Sequence, residues 1–99
     1  MNTELINRVF KVAETEPKSV EHLLLKLMEE VGEASQAYLS TSQASGSSYK
    51  ELSQQDFQEE LVDSLLVVLT LIKRSGISEA DLEALMNKKM DKWEAKQAK

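Results

Sequence analysis

Apolar residues recur at intervals of three and four through most of the chain, the spacing of one helix face. No stretch alternates apolar with polar residues as a half-buried strand would. The first helical pattern runs from about Thr3 to Glu14, with Leu5, Ile6, Val9, Phe10 and Ala13 on one side, and Pro17 ends it. Ser19 is placed to cap a second helix, Val20 to about Leu39, by accepting a hydrogen bond from an amide of the first turn. Ser40 to Ser53 is rich in Ser, Gln and Gly, has no period and predicts a loop. Within it, Tyr49 and Lys50 are either contacts for a bound substrate or part of a loosely ordered segment. Ser53 with Asp56 resembles a capping box and opens a third helix reaching about Arg74, with Gly76 as the expected C-terminal cap. Ser78 with Asp81 opens a fourth, whose apolar positions are Leu82, Leu85, Met86, Met90 and Trp93. The predicted fold class is all-α, with residues 1–99 forming one domain of four helices.

Acidic residues break into this pattern at two places. Glu30 and Glu33 are three apart in the second helix, and Glu60 and Asp63 repeat the spacing in the third. Residues so spaced lie about 60° from one another on a helix, within reach of one cation. Measured from Glu30, the apolar Val20, Leu23, Leu24, Leu27, Val31, Ala34 and Tyr38 fall between about 20° and 120°. Lys26, Glu33 and Ala37 fall between about −60° and 0°, so the acids are expected to border the buried stripe. Around Glu60, one face carries Phe57, Leu61, Leu65, Val68, Leu71 and Ile72, and the opposite face carries Val62, Leu66 and Leu69. A helix apolar nearly all round is buried on more than one side, which in a small bundle calls for a second copy of the chain. Acids in such a helix need a cation partner or a route to water.

The ligand types select the cation. With no cysteine and a single histidine, an all-carboxylate site suits Mg²⁺ first and Mn²⁺ second. A di-iron helical protein carries a Glu-x-x-His pair on each of two helices, and neither occurs here. Mg²⁺ held by carboxylates keeps positions for water and substrate phosphates, which points to phosphoryl or pyrophosphoryl chemistry. The net charge of −5 disfavours non-specific binding to nucleic acid. The absence of cysteine excludes a disulfide scaffold and a thiol nucleophile, in keeping with a cytoplasmic protein. The N-terminal Met1-Asn2-Thr3-Glu4 lacks the features of a signal peptide. The longest apolar run, Leu65 to Ile72, is broken by Thr70 and too short to span a bilayer.

The stretches Leu25 to Ala34 and Glu59 to Leu66 are similar to the E-x-x-E and E-x-x-D metal motifs of the MazG-like nucleotide pyrophosphohydrolases, in the all-α NTP pyrophosphatase superfamily. Arg74 to Ser78 and Lys88 to Lys92 also resemble that family, so the likeness runs from about Leu25 to Lys96. The resemblance implies a MazG-like four-helix bundle that assembles as a dimer or a dimer of dimers, the third helix completing the dimer core. It also implies Mg²⁺ on Glu30, Glu33, Glu60 and Asp63, and hydrolysis of a nucleoside triphosphate to the monophosphate and pyrophosphate. Glu29 and Glu59 sit beside the ligands as spare acids, either accepting the proton of the attacking water or remaining outer, solvated groups. Lys26 shares the acids' face, and Lys89, Lys92 and Lys96 are spaced along the last helix; each is a phosphate contact or an ordinary surface charge, and Lys89 matches a family position. Where the family has Asn and then Arg, this chain has Trp93 and Lys96. An indole does not repeat an amide's hydrogen bonds, and Trp93 serves in packing, within the core or at an interface, or stacks on a base. Gly32 either permits close helix packing or leaves room for metal or phosphate, and His22 reads as an exposed or capping residue. Two alternatives stand beside this reading: a phosphoribosyl-ATP pyrophosphohydrolase-like enzyme, and a non-catalytic helical oligomerisation or binding module.

Overall fold

The computed structural model describes residues 3–42 and 53–98, and its regular structure is α1 (Thr3–Glu14), α2 (Val20–Thr41), α3 (Gln54–Arg74) and α4 (Glu79–Gln97). No strand occurs among the described residues, outside which Tyr49 and Lys50 lie. The helix starts are set by side-chain caps. Ser19 Oγ accepts from the His22 amide at 3.1 Å, and Ser78 Oγ accepts from the Asp81 amide at 3.1 Å. Ser53 and Asp56 form the full capping box: the Asp56 amide donates to Ser53 Oγ at 3.1 Å, and the Ser53 amide donates to Asp56 Oδ2 at 2.8 Å. These bonds hold the Asp56 carboxyl below its usual pKa, the Ser53 amide being the largest cause. Each cap satisfies an amide that the helix itself leaves without a partner, and is worth about 1 kcal/mol. At the end of α3, Gly76 takes φ 93°, a left-handed backbone that side chains resist.

The main packing is α2 against α3, with a smaller contact between α1 and α3 and only marginal contact from α4. The buried apolar residues are Phe10 and Ala13 from α1, Leu23, Ala34 and Ala37 from α2, Leu69 from α3 and Leu82 from α4. Arg74 ties the layers together at one end. Its guanidinium, at the last turn of α3, donates to the Lys18 carbonyl at 2.8 Å and to the Glu16 carbonyl, so the α1–α2 turn is fastened to α3. Next to it, Lys73 lies 5.6 Å from the centre of the Phe10 ring and 3.8 Å from a Glu14 oxygen. At the other end of α3, the Tyr38 and Phe57 rings meet in a tilted arrangement with centroids 5.4 Å apart.

Four expectations need correction. α2 continues to Thr41, and Ser40, read as the first loop residue, is buried within it. The buried stripe of α2 is also rotated from the predicted one. Leu23, Leu27, Glu30, Ala34 and Ala37 face inward, while Val20, Leu24, Val31 and Tyr38 are exposed. The inward set is centred about 20° from Glu30, so Glu30 lies inside the stripe and does not border it. In α3, Leu69 does not wait for a partner: it is buried in this chain and lines a 390 Å³ apolar cavity with Ile6, Ile72, Leu82 and Met86. Finally, α4 buries only Leu82 of its predicted apolar face, leaving Leu85, Met86, Met90 and Trp93 exposed, so Trp93 is not a core residue of this chain.

The resulting molecule is flat and open, 44 × 44 × 24 Å with a Cα radius of gyration of 16.3 Å. A compact domain of this length would have a radius of about 13 Å. No helix among the described residues is long and apolar enough to cross a membrane.

Candidate metal centre

The α2–α3 contact brings the two acidic motifs face to face. Glu30 enters from α2 between Leu27 and Ala34 and is only 5% exposed; Glu60 and Asp63 enter from α3, Glu60 half-buried and Asp63 at the solvent edge. Carboxylate oxygens of Glu30, Glu60 and Asp63 lie within 4.8 Å of one another, and oxygens of Glu29, Glu30 and Glu33 form a second such group. Glu30 is common to both. Opposite ligands of an octahedral Mg²⁺ are about 4.2 Å apart, twice a bond of roughly 2.1 Å, so small side-chain rotations bring these oxygens to coordinating distance.

Two electrostatic features mark the cluster. Lys26, one turn before Glu30, places its Nζ 2.9 Å from Glu30 Oε1 and 3.2 Å from Glu29 Oε1. Both contacts raise the lysine's pKa, the hydrogen bond to Glu30 first and that to Glu29 second. Glu60 has no such relief. Its Oε2 is shut off from solvent and receives no hydrogen bond. The Ser64 hydroxyl, one turn on, donates to the Glu60 backbone carbonyl at 3.0 Å and leaves the carboxylate unserved. The Glu60 carboxyl is pushed up to about 7. The largest cause is the neighbouring Glu33 carboxylate, which favours a proton on Glu60; desolvation follows, then the negative charges of Glu33, Glu30 and Asp63.

The donor set therefore fits a hard divalent ion. All the converging atoms are carboxylate oxygens, and Glu60, one of the residues that supply them, carries a buried acceptor with nothing to accept from. Mg²⁺ and Mn²⁺ meet both conditions.

The remaining candidates fall elsewhere. Lys89, Lys92, Lys96 and Trp93 are all exposed on α4, outside the acidic group, and none of these lysines forms an ion pair among the described residues. Glu59 is exposed and accepts from Gln55 Nε2 at 3.3 Å, while His22 is exposed and contributes its backbone amide to the Ser19 cap. A Cβ added at Gly32 would meet nothing within 4 Å, so Gly32 is not a close-packing position inside this chain. At about 200° from Glu30, it is also on the far side of α2 from the cluster.

The sequence pairs each motif within its own helix. Taken pair by pair, the motifs do not single out Glu30 as the acid shared between two groups, nor Lys26 as its grip. A signal for the first was present: Leu23, Leu27, Ala34 and Ala37 surround Glu30 at core spacing, which makes a carboxylate the odd member of a buried stripe. No family model, curated protein or solved structure matches the chain.

Proposed function

We propose that this chain is a Mg²⁺-dependent nucleoside triphosphate pyrophosphohydrolase of MazG-like type, cytoplasmic and acting in nucleotide-pool house-cleaning. The observation that carries the proposal is the convergence of Glu30, Glu60 and Asp63 from two helices, with Glu33 beside them, around a buried Glu60 oxygen that lacks a partner. Those four acids would hold the ion. When bound, Mg²⁺ would offset triphosphate charge and orient a water. Hydrolysis there would break the bridge between the α and β phosphorus atoms and yield a monophosphate and pyrophosphate. Lys26, half-exposed at the rim, is positioned to meet a phosphate entering from solvent. Glu29, held by Lys26, and Glu59, held by Gln55, are the spare acids beside the ligands, and either would accept the proton or remain an outer, solvated group.

The proposal includes a second copy of the chain. Leu61, Val62, Leu65 and Leu66 of α3 and Val20, Leu24 and Val31 of α2 are all exposed on the helices that bear the acids. A dimer, or a dimer of dimers, would cover them. The same exposed surface supports a second reading, a helical oligomerisation or binding module without turnover.

Pyrophosphate release from a panel of canonical and modified NTPs and dNTPs, with Mg²⁺ and then with EDTA, separates the readings. Metal-dependent release from any of them supports the enzyme. A folded protein silent across the panel shifts the reading to the binding module, or to phosphoribosyl-ATP as substrate. Glu60→Gln should reduce release to background while helix content by circular dichroism is retained; undiminished turnover in that variant would remove the acidic cluster from the chemistry.

A further inference from the structure

Glu30 poses a problem that its own surroundings answer. A carboxylate 5% exposed in a stripe of leucine and alanine needs a cation, and Lys26 supplies it at 2.9 Å. Among the described residues, Lys26 is the only cation within ion-pair distance of any of Glu29, Glu30, Glu33, Glu60 and Asp63. Its placement is not the one that best supports a helix. In an i,i+4 pair the favourable order puts the acid toward the N-terminus, and here the lysine precedes both of its acids. Lysine is a compact charge on a flexible stem, its side chain here is 39% exposed, and Glu29 at the rim offers a foothold 3.2 Å away. The ammonium can therefore leave Glu30 without crossing the packed interior.

We infer that Lys26 is an exchangeable counter-ion of the metal centre: it neutralises Glu30 when the ion is absent, and metal binding displaces its ammonium from Glu30 toward the solvent rim. The inference rests on the metal-site reading above. Two cations on one carboxylate repel each other, and Glu30 is the acid common to both groups of oxygens, so metal and ammonium compete for it. The exchange also orders events. The lysine becomes available to a phosphate only once the metal is in place, and without metal the described residues of the acidic group present no free cation to the triphosphate.

The test is Mn²⁺ binding to the full chain without nucleotide, followed by electron paramagnetic resonance. Removing the competitor with Lys26→Met should tighten Mn²⁺ by about tenfold, the lower end of the range by which groups contacting the ligands alter metal affinity. Lys18→Met deletes a cation distant from the acids and should leave affinity unchanged. Equal or weaker binding by Lys26→Met overturns the exchange while leaving the metal site intact. Absence of Mn²⁺ binding in every form, wild type included, overturns the metal site and the exchange together. Because Lys26→Met leaves Glu30 unpaired in the metal-free chain, the wild type provides a check that needs no variant. With lysines labelled by ¹³C-methylation, the Lys26 resonance should move on adding Mg²⁺ to the position of a solvated lysine, and a Lys26 signal unmoved at saturating Mg²⁺ would equally overturn the exchange.

Discussion

Glu60 holds a proton that a solvated glutamate would release, and this gives the metal-free protein a defined pH response. Its carboxyl is raised from 4.5 to about 7 by Glu33, by desolvation and by the charges of Glu30 and Asp63. Between those two values the folded chain binds more protons than the unfolded chain, so stability falls as pH rises. The contribution is fully present below about 4.5 and is lost as pH passes about 7. Glutamine imitates the protonated side chain. In EDTA, Glu60→Gln should therefore melt above wild type, by a margin that widens across this window, as read by thermal denaturation at a series of pH values. A margin that stays constant with pH would mean Glu60 is not the titrating group. Mg²⁺ should reverse the wild-type trend, since the ion takes the place of the proton. At this scale the meeting of Glu30 with Glu60 and Asp63 was legible, because acids repeated at the same spacing in two apolar helices converge when those helices pack. The Lys26 grip was not legible, because a lysine one turn from a glutamate reads equally well as surface.

At the level of elements, the sequence marked the helix starts with local chemistry, and the structure reproduces them at Ser19, Ser53 and Ser78; at the end of α3 the cap is Ser75, and the expected Gly76 follows it as the left-handed stop. It misplaced the inward face of α2. A wheel weights every apolar residue alike, whereas packing against α3 selected Ala34 and Ala37, small enough for close approach, and left Val31 and Leu24 outside. The Arg74 clamp was out of reach for another reason: its partner carbonyls belong to residues 56 and 58 positions away, and backbone acceptors carry no sequence signature. Arg74→Met should cost about 2 kcal/mol in urea unfolding, the scale of hydrogen bonds from a charged donor, with faster amide exchange in the α1–α2 turn. Unchanged stability would make the clamp incidental. Gly32 gives the opposite sign. With open space around it, Gly32→Ala should stabilise the chain by about 1 kcal/mol through helix propensity alone. A loss of stability would reveal a neighbouring chain's backbone seated there.

The whole molecule is under-covered for its size. Met28 is 71% exposed, Trp93 59% and Val62 53%, and α4 lies against the rest through little more than Leu82. The two-faced character of α3 announced this, although the face that stays open is Leu61, Val62, Leu65 and Leu66, with Leu69 covered internally. For α4 the apolar count in the sequence suggested a packed fourth wall. Its long side chains instead line one side of an open cavity. For the proposed dimer, Leu66→Glu should lower the sedimentation coefficient to that of a monomer, and an unchanged coefficient would place the contact elsewhere or remove it.

Val31 and Leu61 each directly follow an acid of the cluster, so the surface that a second copy would cover and the oxygens that would bind the ion belong to the same turns of helix. Under the proposed reading, a second copy that steadies one set would steady the other, and linkage would make the effect reciprocal. For the proposed dimeric enzyme the consequence is a departure from proportionality: halving the protein in an assay at limiting Mg²⁺ would cut the rate by more than half, and restoring the ion would bring the missing activity back without adding protein.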